Sequence, residues 1–447
     1  MSSSAAFLLL SAAVAVASPL GQHEVGATLS SSSSAIARRI HNCNKPAPPT
    51  VYFPLNFRYG PDEKIGTDLV IPGTNKTMAV CFDQGSEDYW VLAPDSVINW
   101  GAQRPGAPGP CNATASPIYE YSESSDASSP EHFDLFAAYG GYNKFVQASE
   151  AVNDTMTFTS VAGQRSTIPN LRTALVEFVS VVVPDETGNC AAVPKDLSYD
   201  AGILGIAPYR DNADGTTNGP HVRQELLERG VIKAPVQSLW MDKRPDGVKD
   251  TYTGGAIFGG IDLSKFTGPL VRVPVVREDD YTIGYYVAPP KISFKGKEIK
   301  TDNSEDRCFV DSGTRNDVLP VIYEDEKETF FKTTGLVESE YGDISWPSAC
   351  EDVPSDVTLD LTFPGTKNGT SVDIKIPLKN YVRYDLGEEG LCRLNLYVGT
   401  GCTLAAPFST AAFFAADDER GEVAFAQGGI SERGSSPTEE SIVLRIP

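Results

Sequence analysis

Two segments of this 447-residue chain share one pattern, in which an apolar run ends in an aspartate followed by a glycine and a hydroxyl residue. Residues 80–86 read VCFDQGS and residues 308–314 read CFVDSGT. A second matching element follows each segment, ILG at 203–205 and TLA at 403–405. A duplicated lobe is the economical explanation, and the chain is long enough for two lobes.

The pattern between these landmarks favours β-structure. From Val51 onward, short runs rich in β-branched and aromatic residues alternate with Gly, Pro, Asn and Asp. Helical periodicity is confined to short stretches at 221–229 and 322–333. The sequence therefore predicts a mostly β fold with minor helices. Strands are expected, among other places, at 155–161, 175–183, 270–276 and 372–376.

The repeated aspartates, Asp83 and Asp311, are the candidate catalytic groups. Glycine tolerates the backbone geometry of a tight turn, and a hydroxyl three residues after each aspartate can hydrogen-bond its carboxylate. The supporting residues are Gly85 and Ser86 in the first turn and Gly313 and Thr314 in the second. The alternative, for either segment alone, is a strand-end aspartate that caps a turn.

If the two turns face each other, the carboxylates cannot both ionise and share one proton. The ionised carboxylate can then take a proton from water while the protonated one donates to a peptide carbonyl oxygen. Such hydrolysis needs no metal or other cofactor. Serine and zinc hydrolase motifs are absent from the sequence, and its four histidines lack a supporting motif.

Five ordered segments resemble the pepsin family of bilobal aspartic proteases, across nearly the whole of residues 51–430. They read FDQGSEDYWV at 82–91, YG at 139–140, DAGILGI at 200–206, GGAIFGGID at 254–262 and DSGTRNDVLP at 311–320. The resemblance implies a bilobal fold with a cleft between two β-rich lobes. It also implies a secreted aspartic endopeptidase of the fungal type, monomeric and acting on polypeptides at acid pH.

The resemblance also implies a flap over the cleft. Tyr139 and Gly140 match the tip of the flap hairpin, and Trp90 matches the tryptophan that supports it. In the family, the flap tyrosine closes over the substrate and helps to exclude water. The alternative interpretation of Tyr139 and Trp90 is packing within β-strands.

The chain departs from the family pattern around both turns. Gln84 replaces the threonine whose hydroxyl helps to lock the two loops together, and Ala405 replaces a glycine and could crowd the turn beneath the second aspartate. Glu87 and Arg315 occupy equivalent positions with opposite charge. Arg315 could lower the pKa of both carboxylates, select acidic or polar substrate side chains, or form a solvated surface pair with Glu87. Tyr142 and Asn143 replace small residues at the flap tip.

We expect the following organisation along the chain. Residues 1–17 form a signal peptide, and residues 18–50 a short pro-segment or linker of a zymogen, with Arg38-Arg39 as a candidate processing site or a chance pair. The lobes span 51–266 and 267–430, and 431–447 form a flexible tail.

The eight cysteines suit disulfides in an oxidising compartment. The family resemblance implies a disulfide between Cys350 and Cys392. The pairing of the other six stays open: Cys43, Cys81, Cys111, Cys190, Cys308 and Cys402. Cys81 and Cys308 flank the two turns. They could be linked to each other, or either could be linked to Cys190 or Cys402.

Charge and targeting signals narrow the partners. A net charge of −22 without a basic stripe argues against nucleic acid, and no apolar stretch is long enough for a membrane span. Glycosylation sequons at Asn75, Asn112, Asn153 and Asn368 agree with secretion. Two functions compete: an active acid endopeptidase, or a bilobal protein with weak or no catalysis that serves as a secreted inhibitor or binding module.

Overall fold

The structure is a computed structural model that describes most of the chain from residue 49 onward. The described ranges are 49–57, 64–102, 109–140, 144–182, 201–208, 221–245, 251–276, 283–301, 306–340, 342–383 and 390–447. The expected signal peptide, the dibasic pair, Tyr142, Asn143, Cys43 and Cys190 lie outside the described residues, as does nearly all of the expected pro-segment.

Within these ranges the chain is dominated by β-strands. The strands of the first half are β1 Val51–Phe57, β2 Ile65–Val70, β3 Thr77–Asp83, β4 Tyr89–Ala102, β5 Cys111–Thr114, β6 Glu131–Tyr139, β7 Lys144–Thr159, β8 Arg165–Val182, β9 Gly202–Gly205, β10 Val236–Met241, β11 Tyr252–Phe258, β12 Ile261–Asp262 and β13 Thr267–Val273.

The strands of the second half are shorter on average. They are β14 Tyr285–Val287, β15 Lys291–Phe294, β16 Lys297–Ile299, β17 Cys308–Val310, β18 Asp317–Leu319, β19 Val337–Glu338, β20 Ile344–Trp346, β21 Thr358–Pro364, β22 Ser371–Pro377, β23 Cys392–Arg393, β24 Leu396–Val398, β25 Thr403–Leu404, β26 Ala412–Asp417, β27 Glu422–Gln427 and β28 Ile442–Val443.

The described helices are short. They are α1 Val222–Glu228, α2 Glu324–Thr334 and α3 Ala406–Ala411, with 3₁₀ turns at Tyr121–Glu123, Cys350–Asp352, Leu378–Tyr381 and Glu439–Ser441. In α2, the Glu326 carboxylate accepts the Tyr323 N–H at 3.2 Å, and Gly335 ends the helix with a φ of 73°. None of the helices in the described ranges has the length and apolar character of a membrane span.

The strands build two β-rich halves that share one large sheet. That sheet has the order β13-β27-β26-β10-β11-β1-β2-β3-β9-β4-β8-β7-β6, with β5 paired to β4. Strands β26 and β27, from the end of the chain, enter it beside β10 and β13. Three smaller described sheets, β14-β17-β25-β18-β24, β16-β15-β21-β22 and β19-β20-β23, belong to the second half. The predicted mostly β, two-lobed fold is confirmed.

The repeated segments adopt the same topology. β3 runs parallel to β9, with Phe82 opposite Leu204, and β17 runs parallel to β25, with Val310 opposite Leu404. Each apolar run is thus a buried strand, and each aspartate stands where the strand ends. The apolar character of the runs follows from this burial on both faces.

The last residues are not a flexible tail, contrary to the sequence expectation. β28 pairs with β12, and Ile446 is buried against a cluster around Trp240. Arg445 Nη1 lies 3.2 Å from Asp417 Oδ1. Ile442 and Val443 pack against this cluster together with Ile446, so apolar burial attaches the end of the chain to the shared sheet.

Candidate active site

The two aspartate turns meet face to face. A Cβ atom built on Gly85 would lie 2.8 Å from Asp311 Cγ, and one built on Gly313 would lie 2.6 Å from Asp83 Cγ. Any larger residue at either position would therefore push the opposite carboxylate away. Both aspartates are buried, with exposures of 6% and 8%. The glycines of the motif are the reason that two carboxyl groups can come this close.

Each carboxylate is held by the same pair of donors, a backbone N–H two residues on and a hydroxyl three residues on. The donors and their distances are Gly85 N at 2.8 Å and Ser86 Oγ at 2.5 Å to Asp83, and Gly313 N at 2.9 Å and Thr314 Oγ1 at 2.5 Å to Asp311. These bonds fix the orientation of both groups before a substrate binds.

The electrostatics of the pair follow from burial and proximity. Burial, and next to it the neighbouring Asp83 carboxylate, raise the pKa of Asp311 well above its usual range, although Thr314 and Gly313 donate to the ionised form. The raised pKa of Asp311 favours its protonated form, which can donate a proton beside the second carboxyl group. The arrangement can therefore act as acid and base at once.

The link between the two turns is one-sided. Ser312 Oγ donates to Phe82 O at 2.6 Å and accepts from Gln84 N at 3.2 Å, and Ser312 O accepts from Ile65 N at 3.2 Å. Gln84 is fully buried, and its side-chain amide makes no hydrogen bond within the described residues. The side chain of Ser312 in the second turn therefore bonds to the first turn, whereas the side chain of Gln84 in the first turn makes no equivalent bond to the second among the described residues.

The hairpin of β6 and β7 covers the site. Trp90 Nε1 donates to Tyr139 Oη at 2.8 Å, and their ring centroids are 6.1 Å apart. Gly140 follows with a φ of 57° and open space around it, which suits a hairpin tip. Lys144, opposite Tyr139 in the hairpin, places its Nζ 5.2 Å from the Trp90 ring centroid.

A cleft of about 700 Å³ runs between the flap and the aspartates. Its lining includes both aspartates, Tyr139, Gly140 and the apolar side chains of Phe136 and Ile283, together with the charged residues Lys64, Glu87, Asp88, Lys144 and Arg315. Glu87 and Arg315 are half-buried and both face this cleft rather than a remote surface. Trp90 stands behind Tyr139 and is fully buried.

Sequence reasoning missed three residues near the site. Lys64 and Lys144 reach the cleft from elements outside the motifs, and Lys144 is identifiable only once the hairpin register is known. Asp317, six residues after Asp311, is fully buried and accepts Ala405 N–H at 2.6 Å. Burial raises the pKa of Asp317 to about 7. A charged residue at an otherwise apolar strand position was the available signal.

Ala405 does not displace the turn that it was expected to crowd. It is fully buried, and the neighbouring Ala406 N–H donates to Thr314 O at 3.0 Å. The hydrogen bonds to Asp311 also match those of the other turn. Its backbone, at φ −97° and ψ −153°, is extended, a conformation that residues with a Cβ atom adopt without strain.

Two disulfides join described cysteines, and Cys81 lines the cleft two residues before Asp83. The structure joins Cys350 to Cys392 and Cys308 to Cys402, whereas Cys81 is a buried thiol. The link left open for Cys308 is therefore to Cys402, across the neighbouring strands β17 and β25. Of the sequons, Asn75, Asn112 and Asn368 are exposed, and Asn153 is half-buried in β7.

Comparison with known proteins places this geometry in context. The family model described as eukaryotic aspartyl protease matches residues 66–427. Pepsin B of Canis lupus familiaris is 28% identical over 205 residues, 46% of each chain, and secreted aspartic protease 3 of Candida albicans is 26% identical over 248 residues. The latter match covers 56% of this chain and 51% of the relative.

A third relative is matched over more of its length. Gastricsin of Callithrix jacchus is 25% identical over 345 residues, which cover 77% of this chain and 74% of the relative. The matches to pepsin B and to the Candida protein span only about half the length of those proteins.

Proposed function

The chain belongs to the family of eukaryotic aspartyl proteases, and from that premise we propose that it is a secreted endopeptidase that hydrolyses peptide bonds at acid pH. The observation that carries the proposal is the facing, buried pair of Asp83 and Asp311, each with the same two donors. A pair of turn-capping aspartates would have no reason to meet across two lobes.

In the proposed mechanism the pair begins with one proton. The ionised carboxylate removes a proton from a water held between the two groups, and that water attacks the peptide carbon. The protonated carboxyl group donates to the carbonyl oxygen, which gives a neutral tetrahedral intermediate. Collapse of the intermediate transfers a proton to the departing amine and returns one proton to the pair.

The rest of the cleft serves substrate binding in this proposal. The lobes, 51–266 and 267–430, hold an extended peptide between them, and Tyr139, supported by Trp90, closes over it to exclude water. Glu87 and Arg315 on the cleft lining contribute to subsites for substrate side chains. The exposed sequons Asn75, Asn112 and Asn368 would carry glycans outside the cleft.

Acid pH is supported by buried carboxyl groups. Burial raises the pKa of Asp317 and of Glu225 to about 7, and that of Asp311 well above its usual range. These groups are neutral in acid and cost stability when they ionise.

Secretion is supported by three observations: the apolar run in residues 1–17, the disulfides, and the relative that is named as a secreted protease.

One observation favours a second function. Among the described residues, the buried side-chain amide of Gln84 has no hydrogen-bond partner, although it lies directly beside the catalytic turn, where the family pattern has a cross-linking threonine. A pair held less firmly would bind peptides but cleave them slowly. The chain would then act as a secreted inhibitor or binding module that retains the cleft.

Cleavage of an unfolded protein substrate from pH 2 to 7 separates the two functions. We expect a bell-shaped pH profile for the wild type and a loss of about 10³-fold or more in Asp83→Asn and in Asp311→Asn, since each removes one partner of the shared proton. Asp95→Asn is the matched control, because Asp95 is exposed and its φ of 63° suits asparagine. Wild-type protein that binds the substrate without cleaving it at any pH contradicts the enzyme and supports the binding module.

A further inference from the structure

A buried ion pair lies behind the aspartate turns, outside the cleft. Arg223 of α1 and Asp418, in the turn between β26 and β27, have exposures of only 6% and 2%. Arg223 Nη2 lies 2.5 Å from Asp418 Oδ2. Neither residue is among those that line the cleft. A buried ion pair contributes little net stability compared with apolar packing, so its presence calls for another explanation.

On one side, Arg223 holds the backbone beneath the first catalytic turn. Its Nη1 donates to Ala207 O at 2.8 Å and to Ile206 O at 3.2 Å. The N–H groups of the same two residues donate in turn to the first catalytic motif, Ile206 N to Asp83 O at 2.8 Å and Ala207 N to Ser86 O at 2.9 Å. The guanidinium is thus two hydrogen bonds from the first aspartate.

On the other side, the same guanidinium reaches β14, the strand paired with β17, which leads to Asp311. Arg223 Nη1 donates to Tyr285 Oη at 3.0 Å, and Tyr285 Oη donates to Asp418 Oδ1 at 3.0 Å. Gln237 Nε2 donates to Tyr285 Oη at 2.6 Å. Tyr285 lies in β14 directly opposite Val310, the residue before the second catalytic aspartate.

We propose that Arg223, paired with Asp418, is a positioning residue that sets the distance between Asp83 and Asp311 by bracing both catalytic turns from behind. A planar guanidinium suits this task, because it offers several donors in a fixed geometry, and a lysine would offer one point charge. Arg223 touches neither the substrate nor the reacting atoms, and it acts through the backbone of 206–207 and through Tyr285. The proposal rests on the proposed peptidase function.

The test is Arg223→Met, read by peptide cleavage and by carboxyl titration. We expect kcat to fall about tenfold or more with KM within about twofold, because a small displacement of the pair affects the reacting geometry more than substrate binding. The pH profile of kcat/KM should also narrow, since carboxylates further apart interact less and their two apparent pKa values approach each other. Arg229→Met, an exposed position at the end of the same helix, should leave both unchanged.

A titration by ¹³C NMR of aspartate-labelled protein, assigned with Asp83→Asn and Asp311→Asn, measures the two apparent pKa values without any cleavage. If the wild type cleaves nothing but its coupled titration narrows in Arg223→Met, the peptidase function fails and the bracing role stands. A folded Arg223→Met variant with the wild-type separation of pKa values overturns the bracing role, whatever its thermal stability.

Tyr285→Phe keeps the test decisive if Arg223→Met does not fold. It removes only the hydroxyl group through which Arg223 reaches β14, and the ring packing on Phe414, at 5.0 Å between centroids, remains. We expect a loss in kcat of a few-fold and a narrower titration in the same direction. An unchanged titration in folded Tyr285→Phe also overturns the proposal.

Discussion

The turn after β3 and the turn after β17 hold their aspartates with the same donors, yet their surroundings differ. In the second turn, Ser312 Oγ donates to Phe82 O. The Cys308–Cys402 disulfide lies beside this turn, and the buried carboxyl group of Asp317 accepts the Ala405 N–H. The first turn has Gln84, whose amide is unbonded within the described residues. The difference shows that two turns with the same motif can form one site although the covalent and polar links around that site come mostly from one lobe.

Position by position, the first lobe uses packing where the second uses covalent or polar links. The equivalents of Cys308 and Cys402 are Val80 and Gly202, and a Cβ atom built on Gly202 would lie 3.3 Å from Val80 Cγ2. The equivalent of Asp317 is Tyr89, a fully buried aromatic residue. We therefore expect loss of a covalent link in the second lobe to cost more than a packing change in the first.

The largest effect is expected from the disulfide. Cys308→Val with Cys402→Ala opens a loop with a sequence separation of 94, which lowers the free energy of unfolding by about 4 to 5 kcal/mol on chain-entropy grounds. Cys81→Val, in the first lobe, should cost about 1 kcal/mol because the volume is nearly conserved. Urea denaturation of the oxidised proteins measures both, and equal losses would contradict the comparison.

The pH dependence of stability should come next. The folded-state pKa of Asp317 is about 7 and its usual value is 3.8, so the folded state binds more protons between these limits. Stability from this group is full below about pH 4 and is lost as the pH rises through 7. Asp317→Asn should reduce the loss between pH 4 and 7 by about 2 to 4 kcal/mol.

Urea denaturation at pH 4, 5.5 and 7 measures this change in the pH dependence. The exposed Asp356→Asn serves as the control, and it should keep the wild-type slope. Some slope will remain in Asp317→Asn because Asp311 and Glu225 also have raised pKa values. A variant slope equal to that of the wild type would show that Asp317 does not destabilise the fold at neutral pH.

Gly205 and Ala405 test how closely each turn is packed. A Cβ on Gly205 would lie 2.5 Å from the backbone carbon of Glu87, so Gly205→Ala should cost about 2 to 3 kcal/mol. Ala405→Gly removes a methyl group and should lower the free energy of unfolding by about 1 kcal/mol, chiefly because glycine gives the unfolded chain more conformational freedom. Thermal unfolding of both variants at acid pH checks the order. If Gly205→Ala did not lower the unfolding temperature, the first turn would accommodate a methyl group as the second does, which would contradict the comparison.

The smallest effects concern the one-sided link. Ser312→Ala leaves Phe82 O and Gln84 N without their bonds to the hydroxyl group and should cost about 1 to 3 kcal/mol. Gln84→Met keeps the length of the side chain and removes two buried polar atoms that make no hydrogen bond to any residue the structure describes. It should be neutral or stabilise by about 1 kcal/mol. A larger loss in Gln84→Met than in Ser312→Ala would show that the amide has a partner that stabilises the fold.

Local patterns made much of the fold predictable. The strands expected at 155–161, 175–183, 270–276 and 372–376 lie largely in β7, β8, β13 and β22, and the two helical stretches correspond to α1 and α2. Burial on both faces demands apolar runs, and the turn that positions a carboxylate demands glycine and a hydroxyl, so both leave a mark in the sequence. The segment 442–446, four apolar residues and one arginine, was too short to distinguish a strand from a tail.

The sequence by itself determined the duplicated turns, the mostly β class and the residues that hold each aspartate, because these depend on neighbours a few positions apart. Only the tertiary structure decided that Lys144 stands over Trp90, that Cys308 joins Cys402, and that Arg223 hydrogen-bonds both to the carbonyls of 206–207 and to Tyr285 in β14. Each of these contacts depends on strand pairing and lobe packing between residues far apart in the chain, which neighbours along the chain do not specify.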